Sequence, residues 1–459
     1  MVKPFTLADL GVLLPAATSP SSLDLHQAIA HMTTDSRTLQ PGDLFVALRG
    51  DRFDGHDFVA QVLEQGAIAA VVDQIPPGLE AAPLWVVPDT LAAYQALGSG
   101  WRQRFPGPVV AVTGSVGKTT TKELIAAVLG TQGAVLKTRA NYNNEIGVPK
   151  TLLELTAAHQ FAVVEMGMRG AGEIALLTQI AQPDIAVITN VGTAHIGRLG
   201  SEQAIADAKC ELLANLRPDG IAILNHDNQR LMDTATTVWN GRVLTYGLDG
   251  GDLQGEWTAP DQLRVQGQAI AVPLPGRHNA INYLAALAVA QAVGIDWTTL
   301  GDEVPVTLPE GRSRCHTLPQ DVMVLDETYN AGVESMTAAL RLLADTPGQR
   351  RIAILGTMKE LGERSPALHR QVGHVAQQLN LDQILILADP EERDALIAGA
   401  GSLPCHVFET HQQVIDYLLD SVQPGDRYLL KASRAVGLDQ VVNALLAQWS
   451  SQGLPLPRS

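Results

Sequence analysis

The sequence predicts an α/β protein of three domains: a small N-terminal α/β unit, a central parallel-sheet unit and a C-terminal Rossmann-like unit. Three observations lead there. The chain has 459 residues, about three times the usual domain length, so several separate cores are expected. Short apolar runs alternate with helical stretches along most of the chain, the pattern of parallel sheets covered on both faces. Hydrophobic residues make up 46% of the chain and aromatics only 4%, so aliphatic side chains must fill these cores.

Residues 1–106 contain the strand-like runs Leu44–Leu48, Ala67–Val72 and Leu84–Pro88, separated by helical or loop segments. Phe105-Pro-Gly-Pro108 is a natural break after them. Residues 107–314 hold the runs Val109–Val112, Phe161–Val164, Ile185–Ile188 and Ile221–Leu224. A turn-rich connection, Gly247–Gly255, then leads to a few short strands and a helix from about Asn279 to Ala290. Residues 315–459 alternate again, with runs Val322–Leu325, Arg351–Leu355, Gln383–Leu387 and Arg427–Leu430 spaced by helices, which predicts a second doubly wound sheet.

Composition narrows the function classes. A net charge of -16 argues against a general nucleic-acid binder, because affinity for phosphate backbones rests on basic patches. Cys210, Cys315 and Cys405 lie far apart without metal-ligand spacing, which fits a reducing compartment and a plain core role for each. No run approaches the 18 apolar residues of a membrane span, and the N-terminus lacks an export-type apolar stretch. A cytoplasmic protein is expected, with no nucleic-acid partner and no membrane span, and a monomer.

The richest segment is Val109–Thr121, where an apolar run feeds a glycine turn, a lysine and a hydroxyl cluster before a helical pattern. Gly114 and Gly117 let the backbone of Ser115 and Val116 turn its N–H groups toward phosphate oxygens at the positive end of the following helix. Lys118 reaches the terminal phosphates, Thr119 is placed to ligate Mg²⁺, and Thr120 follows in the same turn. The loop is shorter than the usual Gly-x-x-x-x-Gly-Lys pattern, whose first glycine would fall at Val112. The central unit therefore reads as a P-loop domain that grips a nucleotide triphosphate.

Further candidates lie at strand and helix ends. Glu165 closes a buried strand, where ligands of open α/β sheets gather, as a candidate Mg²⁺ ligand or water-orienting group, or else a solvent-facing acid. His195 follows the next strand and is either a ligand or a satisfied polar residue. Ser201 caps a helix Glu202–Ala214 with the apolar stripe Ala204, Ile205, Ala208 and Leu212. Lys209 sits near that stripe, where a snorkelling lysine is the plain explanation. Asn279 and Asn282 either cap their helix or recognise a base, and Arg312 is either a phosphate contact or a surface arginine.

Several motifs occur in one order: Thr34-Asp-Ser-Arg37, Asp54-Gly-His-Asp-Phe58, Thr113–Glu123, Asn141–Pro149, Glu165-Met-Gly167, Gly276-Arg-His-Asn279 and Lys431-Ala-Ser-Arg434. Together they resemble the Mur ligase family, ATP-dependent amide-forming enzymes of peptidoglycan precursor synthesis. The resemblance covers nearly the whole chain and points to the members that add D-alanyl-D-alanine to UDP-N-acetylmuramoyl-tripeptide. It implies that the triphosphate held by the central, ATP-binding domain is ATP, and that Ser36 and Arg37 belong to the uridine-nucleotide site, with Asn141 and Asn144 holding the muramoyl peptide. It implies Glu165 and His195 as metal ligands, Thr119 on the ATP-bound magnesium, and Lys209, in Ala-Lys-x-Glu, as a carbamate ligand to a second Mg²⁺. Asn279 would contact adenine, Arg312 the γ-phosphate and Glu327 the ribose, while Asn330 and Arg434 would serve the incoming dipeptide.

The chain departs from the family in Asp326-Glu-Thr-Tyr-Asn-Ala-Gly-Val333 and Leu355-Gly-Thr-Met358, where Gly332 and Thr357 replace side chains that could touch ligand. The implied reaction phosphorylates a peptide carboxylate with ATP and lets the dipeptide amine attack the acyl phosphate. Two rivals stay open. One is a ligase adding a single amino acid, such as a diaminopimelate- or lysine-adding enzyme or folylpolyglutamate synthase; the other is a P-loop switch without ligation chemistry.

Overall fold

Three sheets form, their inner strands buried on both faces and edge strands such as Gln262–Val265 and Gln268–Ala271 on one. The structure, a computed structural model, describes residues 5–18, 24–50, 52–259, 261–300 and 304–452. The first sheet is parallel, with β1 (Met32–Thr33), β2 (Leu44–Val46), β3 (Ala69–Val72) and β4 (Leu84–Val86) in sequence order. Leu44, Val46, Ala69 and Val71 face Leu7, Leu10, Tyr94 and Leu97 of the helices Leu7–Leu13 and Thr90–Arg104. Their neighbours Phe45, Ala70 and Val72 pack on the other side with Val59 and Val62. Burial on both faces is why these runs lack polar alternation.

The central sheet has nine strands. In chain order they are β5 (Val109–Thr113), β6 (Val135–Lys137), β7 (Phe161–Glu165), β8 (Ile185–Ile188), β9 (Ile221–Asn225), β10 (Arg242–Gly247), β11 (Leu253–Ala259), β12 (Gln262–Val265) and β13 (Gln268–Ala271). Their spatial order is β13-β12-β11-β10-β9-β8-β5-β7-β6, parallel from β6 to β11, with β12 and β13 antiparallel at one edge. Val110, Val112, Val163 and Val187 pack under the helices Lys118–Gly130 and Arg277–Ala292, while Ala111, Val164, Ala186 and Ile188 cover the other face with Ile174, Ile205 and Leu212. The chain runs from β5 outward to β6, back to β7, then across to β8. This brings the ends of β5, β7 and β8 together at a reversal of strand order, where doubly wound sheets bind ligands.

The third sheet contains β14 (Arg314–Leu318), β15 (Val322–Asp326), β16 (Arg350–Gly356), β17 (Gln383–Leu387), β18 (Cys405–Val407) and β19 (Asp426–Lys431), in the order β14-β15-β19-β16-β17-β18. All neighbours are parallel except β14 with β15. One continuous apolar cluster joins Val191 and Ile196 of the central unit to Val333, Met336, Met358 and Leu361 of the third. The central and C-terminal units thus share a packed boundary beside the loop after β8.

Four details differ from expectation. β6 was not marked as a strand, because it is a three-residue edge element with only Leu136 buried. The connection after β10 is shorter than Gly247–Gly255, since β10 runs to Gly247 and β11 starts at Leu253. Cys210 is buried, but Cys315 is exposed and Cys405 half-buried, so a core role holds only for the first. β14 is an edge strand, which is how Cys315 comes to face outward.

Candidate active site

The loop after β5 is held by the loop after β8. Asn190 accepts from Ser115 N through its carbonyl and from Val116 N through Oδ1, both at 3.0 Å. Thr189 Oγ1 and Asn190 Nδ2 donate to Val116 O at 2.6 and 3.0 Å, and Gly192 N donates to Ser115 Oγ at 2.9 Å. Gly114 has φ +152, and a Cβ there would lie 1.9 Å from Thr189 Oγ1. Gly117 has φ +81, and a Cβ there would lie 2.8 Å from Asn282 Oδ1. Both positions combine a backbone that favours glycine with no room for a methyl. Lys118 donates to Gly114 O at 2.6 Å, and Thr119 and Thr120 are buried in the first helical turn. Burial lowers the Lys118 pKa, opposed by the charge of Glu165 and reinforced by that of Arg312.

Glu165 is buried at the end of β7, paired with Val112, one residue before the end of β5. Its Oε1 accepts from Asn143 Nδ2 at 2.8 Å, whereas Oε2 is buried and accepts no hydrogen bond. Lys122 Nζ is 3.7 Å from that oxygen, and it bonds Thr138 O at 2.8 Å with Glu123 Oε1 at 3.0 Å. His195, with φ +66, has Nδ1 2.7 Å from Glu360 Oε2 across the boundary with the C-terminal unit. Burial holds its pKa below the usual value, Glu360 opposing and Lys118 and Lys209 adding to the effect.

Lys209 occupies the helix Glu202–Ala214, capped as expected by Ser201 Oγ accepting from Ala204 N at 3.1 Å. It is only 1% exposed, and among the described residues no carboxylate lies within 4.0 Å of its ammonium and no hydrogen bond reaches it. Burial and the charge of Lys118 drive its pKa far down. Snorkelling is therefore not its geometry: the amine ends inside, within electrostatic reach of Lys118 and His195. The fold thus gathers Lys118, Glu165, His195 and Lys209 at one strand-end crevice.

The remaining candidates form two groups. Asn279 is buried and donates to Pro275 O at 2.8 Å and Ser313 Oγ at 3.4 Å, so it does not cap its helix. Glu327 accepts from Ser313 N and Oγ at 3.1 Å, and Lys431 Nζ lies 3.6 Å from its Oε2. Arg312 stacks on Tyr329 with its Nε buried and unbonded. Asn330 is exposed, its carbonyl accepting from Lys431 at 2.9 Å, and exposed Arg434 pairs with Asp439 at 3.2 Å. Farther out, Arg37 grips Asp35 with two side-chain bonds of 2.8 and 2.7 Å beside half-buried Ser36. Asn141 is exposed, and Asn144 Oδ1 accepts from Gly147 N at 2.9 Å at the start of the helix Gly147–Leu153. Thr357 turns inward, its Oγ1 accepting from Asp389 N at 2.9 Å.

Sequence reasoning passed over Asn143, Lys122 and Glu360. Asn143 sits between the two asparagines singled out, and alternation along that loop was the available signal. Lys122 lies one helical turn after Lys118, the spacing that places two side chains on one face.

The chain resembles known proteins over most of its length. The Mur ligase middle domain matches residues 112–290, the Mur ligase glutamate ligase domain 311–434 and the Mur ligase family catalytic domain 28–94. The UDP-N-acetylmuramoyl-tripeptide–D-alanyl-D-alanine ligase of Synechocystis sp. is 56% identical over 421 residues, 92% of either chain. The chain belongs to the Mur ligase family. Among solved Mur ligases, MurF from Acinetobacter baumannii superposes with a TM-score of 0.86 at 32% identity, covering 97% of this chain and 99% of that one. MurF from Thermotoga maritima, solved with ADP, gives 0.82 at 29% identity, covering 92% and 98%. The three-unit α/β architecture is that of these Mur ligases. Among the described residues no helix is long and apolar enough to cross a membrane.

Proposed function

We propose that this Mur ligase joins D-alanyl-D-alanine to UDP-N-acetylmuramoyl-tripeptide at the expense of ATP, giving the pentapeptide precursor, ADP and phosphate. The observation that carries the chemistry is that Lys118 feels the charge of Glu165, whose buried Oε2 accepts no hydrogen bond, and in turn acts on the buried Lys209 amine. A carboxylate is a poor electrophile, and phosphorylation supplies it with a leaving group. Lys118 exchanges the Gly114 carbonyl for phosphate oxygens, and with Arg312 it offsets charge gathering on the transferred phosphoryl. The N–H groups of Gly117 to Thr120, with Asn279 and Glu327, complete the nucleotide site in this reading, whereas those of Ser115 and Val116 are taken by Asn190 and shape the loop instead. Ser36, Arg37, Asn141 and Asn144 take the UDP-linked peptide, and Asn330 and Arg434 face the dipeptide.

The residues fit two Mg²⁺ ions. Among the described residues no three His, Cys, Asp or Glu side chains are set to hold a metal, and a carbamate on Lys209 would add an anionic ligand to Glu165 and His195. The Lys209 amine in its neutral form, which burial favours, attacks CO₂, forming an N–C bond and releasing one proton, and leaves a carbamate with one negative charge. Glu165, His195 and that carbamate would hold one ion and Thr119 the ATP-bound one. Mg²⁺ supplies positive charge that lets carboxylate and γ-phosphate approach despite their repulsion. The enzyme acts as a cytoplasmic monomer in this reading.

Acceptor choice separates this reaction from its rivals. Phosphate release is measured with D-alanyl-D-alanine, D-alanine, L-lysine and meso-diaminopimelate at fixed UDP-N-acetylmuramoyl-tripeptide. The dipeptide should exceed D-alanine by on the order of a hundredfold in kcat/KM, because a missing second residue leaves the partner of its carboxylate unpaired. Preference for a single amino acid reassigns the chain within the family. Phosphate release without acceptor dependence returns the switch reading.

A further inference from the structure

Tyr329 stands where the nucleotide and acceptor sides of the proposed site meet, and no role above uses it. The Arg312 guanidinium carbon lies 3.9 Å from the ring centroid and that of Arg434 lies 6.0 Å from it. These arginines come from different places: Arg312 precedes β14, and Arg434 follows β19. The backbone braces the stack, since Tyr329 N donates to Gly311 O at 2.9 Å, directly before Arg312. Arg312 Nε is buried without a hydrogen bond, so the ring face is what holds that guanidinium's plane. The Tyr329 hydroxyl makes no hydrogen bond among the described residues. Arg312 in turn is near enough to Lys118 and Lys431 for its charge to disfavour both ammonium groups. The ring attracts both guanidiniums through its quadrupole, Arg312 at closer range than Arg434, and so ties the placement of each to the same side chain.

We propose that Tyr329 is a positioning residue whose ring sets Arg312 against the γ-phosphate and Arg434 toward the acceptor, so that one side chain aligns both halves of the reaction. This rests on the ATP and acceptor assignments above. It requires the π face and not the hydroxyl.

The test compares ADP with the non-hydrolysable ATP analogue AMP-PNP, by calorimetry on the full chain with Mg²⁺. In Tyr329→Leu and Tyr329→Met, ADP affinity should stay within about twofold of wild type, while AMP-PNP weakens by on the order of tenfold, because only the analogue carries the γ-phosphate that Arg312 meets. KM for D-alanyl-D-alanine should rise by a similar factor. Tyr329→Phe should restore most of both losses. ADP binding doubles as the folding control. Equal weakening of ADP and AMP-PNP, or a Phe variant as impaired as Leu, overturns the proposal. Should the dipeptide reaction itself prove wrong, wild-type enzyme shows no dipeptide-dependent phosphate release, whereas the nucleotide comparison still reads the ring's effect on Arg312.

Discussion

Gly114→Ala tests the clamp between the loops after β5 and β8. The new Cβ would lie 1.9 Å from Thr189 Oγ1, more than an ångström inside ordinary contact, at φ +152. Thr189 Oγ1 has little freedom to retreat, because it donates to Val116 O at 2.6 Å within the same loop. Relief therefore breaks that bond, at about 0.5–1.5 kcal/mol, and displaces packed atoms, at about 1–3 kcal/mol. The strained backbone adds about 1–3 kcal/mol. A total of about 3–7 kcal/mol rivals the stability of a domain, about 5–15 kcal/mol, so the local loop should yield before the sheet does. ADP affinity, by calorimetry, should fall at least about a hundredfold, with a lowered thermal midpoint and a preserved circular dichroism spectrum. Adding Thr189→Ala removes the 1.9 Å contact and leaves approaches of 3.1 Å to Thr189 Cβ and 3.2 Å to Thr189 N, so the double variant should recover at least about tenfold. Wild-type ADP affinity in Gly114→Ala, or a double variant no better than the single, refutes the steric argument.

Three further outcomes follow from the same geometry. Lys209→Ala should lose nearly all ligation and regain part of it with a small added carboxylate that takes the carbamate's place; high activity without that additive leaves Lys209 a merely buried lysine. Asn143→Ala removes the 2.8 Å bond to Glu165 Oε1, and a hydrogen bond to a charged group is worth about 1.5–3 kcal/mol. Steady-state kcat should then drop roughly tenfold to a hundredfold, and an unchanged kcat would mean that this contact does not orient Glu165. Asp35 is held at about 2, chiefly by its side-chain bond to Arg37. A carboxyl depressed in this way contributes above its unfolded value near 3.9 and loses that contribution as pH falls through about 2. Carboxyl NMR titration of Arg37→Ala should move the Asp35 midpoint up toward about 4, and no movement would assign the effect to the local backbone.

Much of the fold was legible because its causes are local. Runs such as Ile185–Ile188 and Gln383–Leu387 appear as strands with the bounds their apolar stretches suggest, since burial on both faces leaves an uninterrupted signal. Ser201 caps the helix Glu202–Ala214 because a cap needs only its own next three residues. The three-residue β6 escaped notice because an edge strand with one buried side chain carries almost no pattern.

The sequence by itself determined the alternating architecture, the glycine-bent phosphate loop and the identity of the groups able to do chemistry. Only the tertiary structure decided what surrounds them. Asn190 locks a loop some seventy residues earlier because β8 lies beside β5, and strand order is a property of crossovers that no window of sequence contains. The same crossovers put Asn143 on Glu165 and leave Lys209 buried without a counter-charge. His195 meets Glu360 only where the central and C-terminal units pack together, and Arg312 meets Tyr329 only because the chain returns through β14 and β15. Local spacing selects a backbone conformation, whereas the electrostatic environment of a buried side chain is set by groups distant in sequence, and that environment is what distinguishes Lys118, which feels the charge of Glu165, from Lys209, which feels that of Lys118.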